Sequence, residues 1–319
     1  MKARVLKSLI PTVLTPLILA ACQGTDSTGP GPTLVWTSVP STASQRLFGV
    51  WGSSASDVWA VGFETLVHYD GTAWSSVSPS LTGTGQVLRS VWGTSASNVW
   101  AVGYDSPAFT AKILHYNGAS WSTVASGTTN PLVSVWGSSA SDVWAVGDGA
   151  TIVHYNGASW SSVPNISSGA NVGFRAVWGS SASDVWAVGG QWLLHYNGTA
   201  WSAVAGPTGN AVWGTSRSDV WVADGSQTFH YDGSTWSTVP TGRAPPESPS
   251  SIWGTSRSNV WAVTTTGANG SGTILHYDGT AWSLARIGTP NLAAVWGSSS
   301  SDVWAVGDLG TIFHGTPAG

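Results

Sequence analysis

The sequence is poor in cysteine, in charge and in long apolar runs. It has one cysteine among its 319 residues, so no disulfide within the chain can stabilise the fold. Charged residues make up only 8% of the chain, well under the quarter or so that is typical of globular domains. Lys112 is the one lysine beyond residue 7, and no run of basic residues occurs. The chain therefore lacks the basic surface that nucleic-acid binding requires.

Motifs for catalysis and for metal or cofactor binding are also missing. The sequence contains no nucleophile elbow, no phosphate-binding loop and no metal-ligand motif. Glu64 and Glu247 are its only glutamates, whereas general acid–base hydrolysis needs two positioned carboxylates. We therefore predict that the protein is not an enzyme and uses no cofactor, and we keep glycoside hydrolysis as a remote alternative.

Tryptophan, by contrast, is abundant, with 22 residues, and most of them occupy fixed positions in a unit that recurs seven times. The unit from Val135 to Pro164 reads VWGSSASDVWAVGDGATIVHYNGASWSSVP. Its first Trp recurs at intervals of 41, 44, 42, 35, 40 and 43 residues, and a second Trp follows eight residues later. One His and then a third Trp complete the pattern, although the seventh unit lacks the third Trp. The first Trp residues are Trp51, Trp92, Trp136, Trp178, Trp213, Trp253 and Trp296.

Each unit contains four strand-like segments separated by polar turns. A period of about 40 residues with four strands is typical of a β-propeller blade. We predict an all-β fold over residues 34–319, a seven-bladed β-propeller of four-stranded antiparallel blades. Asp-Gly or Asn-Gly separates the third and fourth strands, and such pairs favour two-residue type I′ hairpins with positive φ at both residues.

The seventh unit ends after its third strand, and the missing strand is found at the start of the domain. Leu34 to Pro40 reads LVWTSVP, which closely matches SWSSVP at 159–164. We predict that residues 34–40 complete the last blade through Trp36 and close the ring, which removes the long unpaired edges of an open array. Each blade then has three tryptophans, and Trp192 is the extra one.

The first 21 residues have the composition of a secretory signal. A basic start is followed by an apolar run from Ser8 to Leu19, which is too short to span a bilayer as a helix. The run ends in Leu19-Ala20-Ala21-Cys22, which resembles the lipobox of bacterial lipoproteins. An ordinary signal peptide with an incidental cysteine is the alternative.

The lipobox resemblance implies cleavage before Cys22, lipidation of that residue and attachment to a membrane. Gln23 at the next position resembles lipoproteins that are sorted to the outer membrane, so the expected location is the bacterial cell envelope. Residues 22–33 are rich in Gly, Pro, Ser and Thr, and we predict a flexible tether there. Without the three basic residues of the signal, eight basic residues face 15 acidic ones, a formal charge of −7.

The single His of each unit is more simply explained as structural than as a metal ligand. One His per blade spreads the seven around a ring, where they cannot converge on one ion. We expect each to bond the turn Asp or Asn of its own blade. These histidines are His68, His115, His154, His195, His230, His276 and His314.

Comparison of the seven units locates a candidate binding face. The connections from first to second strand and from third to fourth strand are nearly identical, whereas the others vary and emerge together on the opposite face. Loops on a rigid scaffold commonly carry binding function. Notable variable segments are residues 78–86, 104–112, 241–250 and 264–272. The unshared aromatic and basic residues, our candidate ligand contacts, are Tyr104, Phe109, Lys112, Trp192 and Arg243.

From Leu34 onward, the recurring pattern VWAVG…HYDG…W resembles that of bacterial repeat propellers and, more distantly, of tectonin-type lectin propellers. The second resemblance implies binding of surface glycans or lipopolysaccharide, with indole faces stacked on sugars. Two functions therefore remain open for a monomeric, non-enzymatic module of the envelope. One is a scaffold with a single protein partner on the variable face, and the other is a lectin with several near-equivalent sites.

Overall fold

A computed structural model of the chain describes residues 31–77, 85–164, 173–225, 227–243, 248–265 and 271–319. The predicted signal segment, Cys22 and most of the tether lie outside the described residues. So do Glu247 and parts of three variable segments, those at 78–86, 241–250 and 264–272. In the described part of the chain, no helix has the length and the apolar character needed to cross a membrane.

Seven four-stranded antiparallel sheets form the blades, and the prediction of a seven-bladed propeller is confirmed. The chain starts with β1 (Leu34–Ser38), which belongs to blade 7. Blade 1 contains β2 (Leu47–Ser54), β3 (Asp57–Gly62), β4 (Thr65–Tyr69) and β5 (Trp74–Ser76). Blade 2 contains β6 (Gln86–Ser95), β7 (Asn98–Asp105), β8 (Thr110–Tyr116) and β9 (Trp121–Val124). Blade 3 contains β10 (Leu132–Ser139), β11 (Asp142–Gly147), β12 (Thr151–Tyr155) and β13 (Trp160–Ser162).

The remaining blades repeat this order. Blade 4 contains β14 (Ala176–Ser181), β15 (Asp184–Gly189), β16 (Trp192–Tyr196) and β17 (Trp201–Ala203). Blade 5 contains β18 (Ala211–Ser216), β19 (Asp219–Asp224), β20 (Gln227–Tyr231) and β21 (Trp236–Pro240). Blade 6 contains β22 (Pro249–Ser256), β23 (Asn259–Thr264), β24 (Gly272–Tyr277) and β25 (Trp282–Thr289). Blade 7 contains β26 (Leu292–Ser299), β27 (Asp302–Gly307), a 3-10 turn (Asp308–Gly310), β28 (Ile312–Pro317) and β1.

The strands of each blade are called A to D from the central channel outward. Strand A of each blade contacts strand A of the next blade, and blade 7 contacts blade 1, so the seven inner strands surround one channel. Strand B, mostly DVWAVG, is buried because a neighbouring blade covers each of its faces. In blade 3, Val143 and Ala145 pack against blade 2, whereas Trp144 and Val146 pack against blade 4.

The prediction that the N-terminal strand closes the ring is confirmed. β1 pairs with β28, and Trp36 lies opposite Gly315. The Trp36 indole is 5% exposed and makes an edge contact with Trp261 of blade 6, with ring centroids 5.4 Å apart. Arg286 Nη1 donates a hydrogen bond of 2.8 Å to the Trp36 carbonyl. Gly315 replaces the repeated Tyr because the indole of Trp36 covers it, and a Cβ there would lie only 3.0 Å from the ring.

The prediction of type I′ turns between strands C and D is wrong. In blade 1, Tyr69 pairs with Trp74, so the loop contains four residues rather than two. Gly71 alone has a positive φ, and Asp70 does not. The Asp70 carboxylate instead accepts hydrogen bonds from the backbone N–H groups of Thr72 and Ala73. A short Asx side chain thus caps a longer loop, which the two-letter Asp-Gly signal does not distinguish from a tight hairpin.

Candidate functional site

The two faces of the propeller differ in chemistry. The A–B and C–D turns form one face, which we call the repeat face because its sequence recurs in every blade. The B–C turns and the connections between blades form the other, which we call the variable face. Antiparallel strand order places these connections on opposite sides, as predicted.

On the repeat face, the seven histidines are structural, as predicted. Each His Nε2–H donates to the turn Asp or Asn of its own blade over 2.6 to 2.7 Å. The second oxygen of each Asp accepts from a Ser or Thr four residues earlier, and the two Asn blades use a Thr hydroxyl as acceptor. Each His ring also packs on the second Trp of its blade, with centroids 3.8 to 4.5 Å apart. Since every blade repeats this set, it is part of the framework that orders each blade.

Protonation of this network is set by burial and by the identity of the acceptor. Burial lowers the pKa of His115, and it lowers the pKa of His276 despite the opposing charge of Asp278. Both histidines face Asn rather than Asp. Burial raises the pKa of Asp184, Asp219 and Asp302, but hydrogen bonds from His and from Ser or Thr outweigh it, so each pKa is lower than usual.

We expect the fold to lose stability as the pH falls from 7 to 5. Because folding lowers the pKa of His115 and of His276, there is a pH range in which these residues are protonated in the unfolded chain but not in the folded one. Their contribution is complete above a pH of about 6.5 and is lost as the pH falls below it. The three aspartates add a further loss only below a pH of about 4.

The double substitution Asn98→Asp and Asn259→Asp tests this prediction. A carboxylate acceptor favours protonated histidine. The variant should therefore lose less of its thermal midpoint between pH 7 and pH 5 than the wild type. An equal or larger loss in the variant would contradict the assignment.

Most of the repeated indoles lie between blades rather than on a surface. The second Trp of each blade meets the third Trp of the next blade edge to face, with centroids 5.2 to 6.1 Å apart. These rings are buried except Trp236 and Trp282, which are half-buried. The second and third indoles act as packing between blades, whereas the first Trp of each blade is half-buried.

On the variable face, the central channel opens through a ring of unlike residues. Each blade contributes the residue three positions before its first Trp, and we call this ring the channel mouth. It borders a cavity of about 320 Å³, continuous in lining with the channel below it. The residues of the channel mouth are Phe48, Arg89, Val133, Arg175, Asn210, Ser250 and Ala293.

Three of the seven arginines beyond residue 30 line this cavity, and their surroundings differ. Arg46 Nε lies 3.0 Å from Asp308, and Arg175 Nη1 lies 3.3 Å from Asp148. Arg89 has no carboxylate or hydrogen-bond partner among the described residues; its guanidinium stacks on the Phe48 ring at 4.3 Å. Three arginines and two aspartates leave one uncompensated positive charge.

Burial and neighbouring charge both act on Arg89. Burial lowers its pKa, the charges of Arg46 and Arg175 lower it further, and Tyr104 and Asp148 oppose these effects. A guanidinium starts from a pKa so high that it stays protonated. Among the described residues, the partly buried cation at the channel mouth has no neutralising partner, which costs free energy unless an anion is supplied.

Exposed apolar side chains lie beside the arginines on the B–C turns of blades 7, 1 and 2. Phe63, Phe109 and Leu309 are 36%, 57% and 78% exposed, and we call them the apolar arc. Phe63 is joined to the site by its backbone, since its N–H donates to the carbonyl of Arg46. Leu309 shares a cavity with Arg46, and both Phe109 and Leu309 have positive φ. Bulky residues in this strained conformation are uncommon and are often found at functional sites.

Three of the five candidate ligand residues lie in the B–C turn of blade 2. Tyr104 pairs with Val87 and stacks on Phe109, with centroids 5.3 Å apart. Lys112 Nζ lies 3.5 Å from Asp105, so its charge is already paired within the turn. The structure thus brings Tyr104 and Phe109 to the edge of the Arg89 site, whereas Lys112 braces the turn.

The other two candidates are elsewhere. Trp192 begins strand C of blade 4 and is half-buried against the apolar cluster between blades 3 and 4. Arg243 lies half-buried in the connection between blades 5 and 6, next to residues outside the described part of the chain. Neither side chain lines the channel-mouth cavity.

Most of the acidic residues outside the repeat pattern have structural partners. Glu64 accepts from the backbone N–H of Gly85, and Asp105 pairs with Lys112. Asp148 and Asp308 bind the two flanking arginines. In the described part of the chain, no group of three or more His, Cys, Asp or Glu could hold a metal ion. We find no pair of carboxylates here arranged for acid–base chemistry.

Sequence reasoning missed Arg46, Arg89 and Arg175. A signal was present, since aligning the seven units on their first Trp places Arg89 and Arg175 at one position that otherwise holds a different residue in each blade. The comparison of loop lengths passed over this position because it lies beside the repeated VWG segment. The same alignment places Arg46 two residues before Phe48, at a second position where the blades differ.

Solved structures with the same architecture were found. YCF48 bound to D1 peptide superposes with a TM-score of 0.69 at 15% identity, covering 90% of this chain and 100% of that one. A catalytically inactive virginiamycin B lyase from Staphylococcus aureus with quinupristin gives 0.70 at 13%, covering 89% and 100%. The extracellular domain of a putative hybrid two component system from B. thetaiotaomicron gives 0.65 at 14%, covering 88% and 39%. No protein-family model and no curated protein matches the sequence. At these sequence identities, the structural similarity shows only that the chain has the β-propeller fold.

Proposed function

We propose that this protein is a lipid-anchored, non-enzymatic binding module of the bacterial cell envelope that holds one protein partner on its variable face. The observation that carries the proposal is the channel mouth, where Arg89 has no anionic partner and the apolar arc lies alongside. A partner that supplies a negative charge and apolar side chains would satisfy both features. The module acts as a monomer, tethered through Cys22 by residues 22–33.

The absence of catalytic geometry among the described residues supports binding over turnover. Asp148 and Asp308 are engaged by arginines, and the aspartates of the A–B turns are engaged by histidines. The fold alone does not decide the question, since the similar structures include a lyase as well as a propeller bound to a peptide. The peptide-bound example supports the proposal because it is a propeller of similar architecture with a peptide bound.

Replacing the B–C turn of blade 2 tests the proposal. Residues 104–112 can be exchanged for residues 148–151 of blade 3, which connect the equivalent strands with a shorter turn. The exchange removes Tyr104 and Phe109 from the variable face, and we expect at least a tenfold loss of partner capture from envelope extracts, since a buried aromatic anchor contributes about 2 kcal/mol or more.

The control exchanges a turn on the other face of the same blade. Residues 117–120 are replaced by residues 70–73 of blade 1, which form the same loop. Capture should be unchanged. Equal capture by both variants and the wild type would reject the variable face as the site.

A glycan-binding function has one specific observation in its favour. A cavity of about 530 Å³ lies between blades 4 and 5 on the repeat face, lined by Trp236, Tyr231 and Arg217. An accessible indole beside a polar side chain is a common sugar-binding arrangement, because the apolar sugar face packs on the ring. Glycan-dependent quenching of tryptophan fluorescence that disappears in Trp236→Ala would favour this function; no response across a broad glycan array would remove it.

A further inference from the structure

The channel mouth is built around a cation, Arg89, that no carboxylate among the described residues contacts. Arg46 and Arg175 each have an aspartate, and those aspartates hold the two guanidinium groups on either side of the cavity. Arg89 lies between them in sequence order around the ring, and its guanidinium stacks on the face of Phe48. Stacking occupies the face of a guanidinium and leaves its in-plane N–H donors available for an acceptor.

The net charge of the site indicates which kind of anion would bind there. Among the residues that the structure describes there, three arginines and two aspartates leave a surplus of one positive charge, which a single carboxylate would neutralise. A dianion such as phosphate would leave the site with a net negative charge next to Asp148 and Asp308. A carboxylate also matches the bidentate geometry that arginine favours.

The size of the cavity indicates what kind of partner could place a carboxylate in it. The cavity of about 320 Å³ is at the small end of ligand pockets, too small for a folded domain. The turns that carry Phe63 and Leu309 adjoin it at Arg46, whose carbonyl accepts from the Phe63 N–H and whose side chain lines a second cavity with Leu309. An extended segment can place one acidic side chain in the cavity while neighbouring apolar side chains lie on the arc, since successive side chains of a strand point to opposite sides.

We propose that the channel mouth is a receptor for one carboxylate of an extended acidic–apolar peptide segment, with Arg89 as its principal ligand. This inference rests on the proposed function and specifies the chemistry of the partner. Arg46 and Arg175 position the site electrostatically, Phe48 holds the plane of the Arg89 guanidinium, and Phe63, Phe109 and Leu309 contact the apolar part of the segment.

A titration with two capped five-residue peptides tests the proposal on the intact protein. The peptides carry leucines on either side of a central residue and differ in having Asp or Asn there. Binding is followed through the arginine side-chain Nε–Hε signals, and the Arg89 signal is identified by its loss in Arg89→Gln. A single charge-assisted contact predicts affinity in the millimolar range, so the titration extends to about 20 mM.

We expect the Asp peptide to shift the Arg89 signal saturably and the Asn peptide to bind at least about tenfold more weakly. Arg89→Gln should reduce affinity for the Asp peptide by a similar factor. Arg89→Lys, which keeps the charge and loses the bidentate fork, should fall between them. The matched control is Arg257→Gln, which removes the same charge from an exposed A–B turn on the repeat face and should leave affinity unchanged.

Three outcomes would overturn the inference: equal binding of the two peptides, no shift of the Arg89 signal, or tighter binding of inorganic phosphate than of the Asp peptide. Thermal melting of Arg89→Gln confirms that the variant is folded. The two proposals fail separately. If exchange of residues 104–112 abolishes partner capture and Arg89→Gln does not, the carboxylate receptor is wrong and the binding face stands; if neither variant changes capture, both are wrong.

Discussion

Deleting residues 31–38 should leave a propeller that no longer melts in one cooperative transition near the wild-type temperature. The deletion exposes the edge of β28 and uncovers Gly315 and Trp261, which the Trp36 indole now buries. Trp36→Ala alone should lower the free energy of unfolding by about 3–5 kcal/mol, the usual cost of removing a buried indole. Calorimetry and urea denaturation measure both effects.

The matched control lies next to Trp36 on the same strand. Val35 is 48% exposed, so Val35→Ala should change the free energy of unfolding by less than about 0.5 kcal/mol. If the deletion and Trp36→Ala melted like the wild type, the ring would not depend on its closing strand. Equal destabilisation by Val35→Ala would likewise contradict the assignment of Trp36 as the buried member of the pair.

Cys22→Ser should move the protein from the membrane fraction to the soluble fraction. We propose that acyl chains on Cys22 hold the protein at the membrane. Each buried CH₂ group contributes about 0.8 kcal/mol, so two or more chains anchor it durably where one alone would be marginal. Fractionation of cells that express the full-length chain, followed by detection in pellet and supernatant, measures the change.

A substitution within the tether controls for processing and expression. Ser27→Ala alters a neighbouring residue and leaves Cys22 in place, so its distribution should match the wild type. Retention of Cys22→Ser in the pellet after a high-salt wash would show that something other than the acyl chains holds the protein there. In that case the alternative of an ordinary signal peptide with an incidental cysteine would be preferred.

The fold could be predicted from the sequence because its information is repeated and mostly local. The His and Asp that bond to each other in one blade are only 11 or 12 residues apart, so each unit carries its own pattern. Even the closing strand was recognisable, since LVWTSVP is a displaced copy of a strand found in other blades. The Asp-Gly turns were predicted wrongly because two-letter signals report that a turn occurs, not how many residues it contains.

The candidate site could be predicted only in part. A repeated sequence pattern identifies the residues that the blades share, whereas this site is formed by residues that differ between blades. Tyr104 and Phe109 stood out because an insertion carries them. Arg89 and Arg175 did not, since each is a single substitution in an otherwise regular strand. The two arginines lie 86 positions apart in the sequence, and only closure of the ring brings them to one cavity.

Site-specific photo-crosslinking tests most directly whether a partner sits over the channel mouth. A photo-crosslinking amino acid is placed either at Val133, in the channel mouth, or at Ala140, in the exposed A–B turn of the same blade on the repeat face. We predict that one partner is crosslinked in intact cells from position 133, that the adduct weakens in the Arg89→Gln background, and that position 140 gives none. Crosslinking from position 140 alone, or equally from both positions, would contradict the proposed site.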